Sequence, residues 1–164
     1  MSKLIFTLLC VFPISFFPGQ QNTEAPAPPK PLEEWQLEMV RLVNNIRKEG
    51  CRCGSKKMRP AKPLKWNNAL ATAALLHAKD MEKNHFIGHY GTNGSRIGQR
   101  VDRAGYNWRV VAENVAWNAQ SIHGAVYGWK ESPSHCINMM GGYTEMGAAQ
   151  VGQYWVQVFA SPMK

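Results

Sequence analysis

A chain of 164 residues has the length for one domain around a real hydrophobic core. Its formal charge is +8, and eight of its cations fall within positions 47–65: Arg47, Lys48, Arg52, Lys56, Lys57, Arg59, Lys62 and Lys65. Such a patch suits anionic lipid, cell-wall polymer or nucleic acid, or is a solvated loop, but no aromatic residue interleaves positions 51–63, which excludes a stacking platform and with it specific nucleic-acid binding.

In chain order, a short basic start precedes an apolar run at 4–17. The run is too short to span a bilayer and Pro13 interrupts it, so residues 1–22 are expected to be a secretory signal peptide, cut somewhere between 19 and 25. Cys10 raises the idea of a lipid anchor, but Leu8 and Leu9 are bulky where small residues are needed. Pro26, Pro28, Pro29 and Pro31 make residues 23–31 an extended linker, and the folded domain is expected over 32–164. Export predicts a secreted, extracellular or periplasmic protein in which disulfides persist. Without Cys10 the cysteines are Cys51, Cys53 and Cys136, enough for one internal bridge and a spare thiol. A Cys51–Cys53 bridge would close a strained loop, so Cys136 is expected to pair with Cys51 or Cys53.

Residues 33–49 carry Trp35, Met39, Leu42 and Ile46 on one helical stripe, with Gly50 as the stop. Residues 51–63, with two prolines, are expected to be loop. Asn67 or Asn68 caps a second helix reaching Asn84, whose face holds Leu70, Ala74, His77 and Met81. His77 on that stripe suggests a satisfied core residue. A glycine-rich polar loop follows, then a short helix at 96–104. Residues 109–117 have a strand pattern, 121–131 a helix with His123 off its apolar stripe, and Ser132-Pro133 opens another short helix through Met139. Residues 144–150 and 154–160 predict a closing hairpin around Gly152. Helices first and strands last favour α+β with an antiparallel sheet.

Four residues stand out chemically. Glu113 sits mid-strand among apolar neighbours, either buried with a partner or on a wet edge. His89 lies in the glycine-rich loop. His135 falls in the first turn of its helix, where the dipole disfavours protonation and keeps the imidazole able to ligate a metal. Glu145 opens a strand. No local zinc spacing joins them. Cys51, Cys53 and Cys136 could be a zinc site, but export favours a disulfide. Cys136 or Ser134 with His135 makes a poor nucleophile–base pair, because adjacent helical residues point apart.

Together the segments resemble the CAP superfamily of cysteine-rich secretory, antigen 5 and pathogenesis-related 1 proteins, in its compact bacterial secreted form. "HFIGHYGTNGSRIGQRVDRAGY" resembles its loop-and-helix segment. "AENVAW" is similar to its G-E-N-[IV]-A strand, with Ala112 for Gly, and "WKESPSHCINMM" to its W-x-x-S-P-G-H-x-x-N segment, with Ser134 for Gly. "YTEMGAA" and "YWVQVFA" match its closing strands. The resemblance implies a three-layer α-β-α sandwich with a central antiparallel sheet. It implies a cleft lined by His89, Glu113, His135 and Glu145, able to hold Zn²⁺ or another divalent ion, with a lipid or sterol, glycan or peptide as ligand. The alternative it leaves open is a metal-dependent hydrolase of peptide, ester or cell-wall substrates, with Glu113 or Glu145 as general base.

Overall fold

The structure, a computed structural model, describes residues 31–163; the expected signal peptide, and the linker up to its last residue, lie outside the described residues. The order is α1 (Glu34–Glu49), β1 (Cys51–Cys53), β2 (Lys56–Met58), β3 (Lys65–Trp66), α2 (Asn68–Asn84), α3 (Ile97–Arg103), β4 (Trp108–Trp117), α4 (Ile122–Glu131), α5 (Pro133–Met139), β5 (Glu145–Val151) and β6 (Tyr154–Pro162).

The apolar stripes do what their spacing predicts. In α1, Met39, Leu42 and Ile46 are buried and the helix stops at Gly50, whose φ is +73°. In α2, the Asn67 side chain accepts hydrogen bonds from the Ala69 and Leu70 amides, supplying the cap, and Leu70, Ala74, His77 and Met81 are buried. Ser132 holds the N-cap position of α5 without a side-chain cap bond, and Pro133 starts the helix.

β3, β5, β6 and β4 form one sheet in that order. β5–β6 and β6–β4 pair antiparallel, with Glu113 opposite Val158 and Gly147 opposite Val158. β3 adds two residues parallel to β5, so the sheet is antiparallel except at that edge. Side chains alternate across the sheet. Val115, Ala149, Val156, Val158 and Ala160 pack on one face with Leu70, Ala74 and Met81 of α2 and Val101 of α3. Met146, Ala148, Trp155 and Phe159 pack on the other with α1, Trp129 of α4 and Met139 of α5. This is the three-layer α-β-α sandwich expected from the sequence.

Three details bear on the site. First, α2 lies directly on β5 at Gly147: a Cβ there would fall 2.2 Å from the Ala71 nitrogen. Second, β4 is an edge strand, but two of its carbonyls are taken by side chains of α4 and α5. Trp129 Nε1 donates to Val115 O at 3.1 Å and Asn138 Nδ2 to Glu113 O at 3.2 Å. Third, Arg47 is not part of the surface patch. It is buried, donating to the carbonyls of Lys62, Met139 and Gly141 at 2.8, 2.6 and 2.9 Å, and so ties α1 to the α5–β5 turn.

The loop expected at 51–63 is corrected by the structure. Residues 51–58 form the β1–β2 hairpin, with Cys51 opposite Met58 and Cys53 opposite Lys56. These strands carry charges without apolar alternation, so periodicity had nothing to register. The hairpin is anchored instead through the Cys53–Cys136 disulfide to α5, which settles the partner of Cys136. Cys136 is therefore no free nucleophile.

Candidate functional site

The site grows from Glu113. Its residue belongs to the face of β4 that looks toward α2 and α3, where an unpaired carboxylate would be costly. Only 2% of its side chain is exposed, and both oxygens are engaged. Arg100 of α3 donates from Nη2 to Oε2 at 2.8 Å, and His89 donates from Nδ1 to Oε1 at 2.9 Å. Arg100 is itself buried, so this is a true interior ion pair.

The loop between α2 and α3 is fixed in place to present His89. Arg100 also donates to the carbonyls of Ser95 at 2.7 Å and of His89 itself at 3.1 Å. His77 donates from Nε2 to Gly88 O at 2.7 Å, one residue before His89. That bond puts the His77 proton on Nε2, and its Nδ1 is left buried without a partner. Asp80 accepts from the Thr92 amide at 2.8 Å and hydroxyl at 2.7 Å. Three side chains on two helices thus hold one glycine-rich loop.

The histidines differ in charge preference. The hydrogen bond to Glu113 raises the His89 pKa above the ordinary imidazole value, against the opposing effect of burial. Burial lowers that of His77. Burial lowers that of His135 too, helped by the charge of His89. His135 comes from α5 and His89 from the loop between α2 and α3. Asn114 of β4 donates to the His135 carbonyl at 3.2 Å and Asn138 to Asn114 Oδ1 at 3.0 Å, which locks α5 against the strand.

Glu145 is placed differently. Its position on β5 shares the sheet face of Glu113 but lies two strands away. Its carboxylate accepts from Asn67 Nδ2 at 3.1 Å and from the Tyr106 hydroxyl. Burial, then this bond, push the Tyr106 phenol well above its usual range. Among the described residues, the group of three or more His, Cys, Asp or Glu with ligand atoms within 4.8 Å of one another is Cys51, Cys53 and Cys136. The structure thus bonds His89 to Glu113 and gives Glu145 its own partners.

With this geometry in hand, comparison with known proteins is decisive. Residues 40–159 match the model of the CAP domain, the cysteine-rich secretory protein family. The chain belongs to that family. The chain is similar to the "Uncharacterized membrane protein YlbC" of Bacillus subtilis, 27% identical over 97 residues, 58% of this chain and 28% of that protein. An extracellular SCP-domain protein of Bacillus anthracis superposes with a TM-score of 0.69 at 22% identity, covering 81% of this chain and 45% of that one. An outer surface protein of Borrelia burgdorferi gives 0.61 at 17% identity over 77% and 89% of the two chains. The chain thus spans less than half of the first two proteins' length, and the structural likenesses speak for the CAP fold alone.

Sequence reasoning missed Arg100, Tyr106 and Asn138, and read Asn67 only as a candidate helix cap, not as a partner of Glu145. The signal available for Arg100 was indirect: a buried strand carboxylate demands a cation, and the helix after the glycine-rich loop offers arginines. His77 was singled out as a core histidine, and it is one, but it also positions the His89 loop.

The donor set suits a divalent ion in part. His89 has Nδ1 committed to a carboxylate and Nε2 uncommitted, the arrangement that orients a ligating imidazole. His135 is held toward its neutral form. Glu113 already accepts one hydrogen bond on each oxygen.

Proposed function

We propose that the chain is a secreted CAP-domain binding protein that holds a divalent ion, zinc being the reference case, through His89 and His135. The observation that carries this is the His89 Nδ1 bond to the buried, arginine-paired Glu113, which turns the ring and leaves its other nitrogen for a ligand. When bound, the ion would supply a fixed positive charge at the β4 edge. Glu113 orients His89, Arg100 balances Glu113, and Asn114 with Asn138 fixes the helix bearing His135. An extracellular lipid or sterol, glycan or peptide is the proposed second ligand. Its apolar part would suit the groove of about 490 Å³ lined by Trp35, Leu37 and Ile122. The seven exposed cations left in the 47–65 patch suit an anionic surface. The leader-like residues 4–17 and the disulfide support secretion.

The hydrolase reading draws less support. Each oxygen of Glu113 and of Glu145 already accepts a hydrogen bond from another side chain, so a general base there would work against existing partners.

Calorimetric zinc titration tests the ion. The native chain should bind, and the double variant His89→Ala/His135→Ala should not. Equal binding by both removes these residues from the reading.

A further inference from the structure

The family site leaves three sulfurs unused, on the opposite side of the sheet. In β1, Cys51 and Cys53 are two residues apart, so strand alternation turns both toward the same side while Arg52 faces water. That side is α5, and Cys136 sits there. Cys53 holds the bridge to Cys136. Cys51 is a free thiol whose Sγ lies 3.6 Å from Cys136 Sγ and 3.9 Å from Cys53 Sγ, beside the bond rather than away from it. Cys51 is also reachable. It is half-buried and lines an open pocket of about 730 Å³ with Arg52, Lys57 and Arg59, whereas Cys53 is 2% exposed. A thiol at van der Waals distance from a disulfide, on a short hairpin with one more residue of the same orientation, has a chemical use that a structural bridge does not need.

We propose that Cys51, Cys53 and Cys136 form a thiol–disulfide exchange centre in which Cys51 takes over Cys136 from Cys53. The step is balanced within the chain. Cys51 gives up its proton, and its thiolate attacks Cys136 Sγ. The Cys51–Cys136 bond forms as the Cys53–Cys136 bond breaks. The electron pair leaves on Cys53, which takes a proton, and no oxidant or reductant is consumed. Because Cys51 lies beside the bond, the attack requires its side chain to rotate in line. The exchange keeps the hairpin tethered while moving the thiol from a reachable position to a buried one.

The full chain is purified without reductant, quenched in acid, unfolded, and alkylated with N-ethylmaleimide under acidic conditions. Tryptic cleavage after Arg52 puts Cys51 and Cys53 on separate peptides, so mass spectrometry reads which one carried the free thiol. The expected result is label on both, with the Cys51 peptide dominant and a matching fraction of Cys51–Cys136 bridge. In Cys53→Ser, oxidative refolding should yield the Cys51–Cys136 bridge, with neither of those two cysteines labelled. Label confined to the Cys51 peptide of the native chain overturns the proposal, whatever the variant does. So does a folded Cys53→Ser protein in which Cys51 and Cys136 are both labelled.

Discussion

The Glu113–Arg100 pair decides how rigid the site is. Both side chains are almost fully buried, so removing one partner strands the charge of the other. Arg100→Met is expected to lower stability by about 3–5 kcal/mol, read by urea unfolding. Adding Glu113→Gln to it should recover part of that loss, since no buried charge then remains. His77 makes a separate prediction through pH. Its folded pKa is depressed by burial, so the unfolded chain takes up a proton more readily. Its contribution is fully present above the ordinary value of 6.5 and is lost as pH falls through the folded-state value. Native stability between pH 7 and acid should therefore fall more steeply than that of His77→Gln. Parallel curves would show that His77 is not the titrating group. Glu113 was visible in the sequence because it breaks the apolar pattern of its strand, and His89 was singled out through the resemblance of its loop. Arg100 was not, because its role exists only once α3 is folded against β4.

At the scale of elements, α1, α2 and the closing hairpin were legible from periodicity alone, since each buries one continuous stripe or alternating face. The β1–β2 hairpin was not. Its charges mask any alternation, and what fixes it is a disulfide to a helix more than eighty positions away. The choice between Cys51 and Cys53 was illegible for a related reason: both point the same way on one strand, so only their depth separates them. The contact between α2 and β5 gives a sharper test. Gly147→Ala places a methyl carbon against the backbone of Leu70 and Ala71. Backbone cannot move aside as a flexible side chain can, so α2 must lift from the sheet. Thermal unfolding should show a loss of at least ~2 kcal/mol, with Asn67 and Glu145 losing their register as well.

For the whole molecule, the Cys53–Cys136 bridge spans a sequence separation of 83 and joins the early hairpin to the late helix. Reduction should lower stability by about 2–4 kcal/mol, measured by denaturant unfolding with and without a strong reductant. The cluster under α2 and α3 should survive, because it contains neither cysteine, whereas Cys53 and Cys136 belong to the cluster on the other face. The His89 loop should survive too, since Arg100 of α3 and His77 of α2 hold it. The covering of β4 has a consequence for how copies of this protein meet. An open strand edge invites a second chain to continue the sheet. Here Trp129 and Asn138 occupy two of the β4 acceptors a visiting strand would need, and the far edge is only two residues long, beginning at Lys65. Asn138, which helps fix the His135 helix, therefore also blunts the molecule against runaway strand addition.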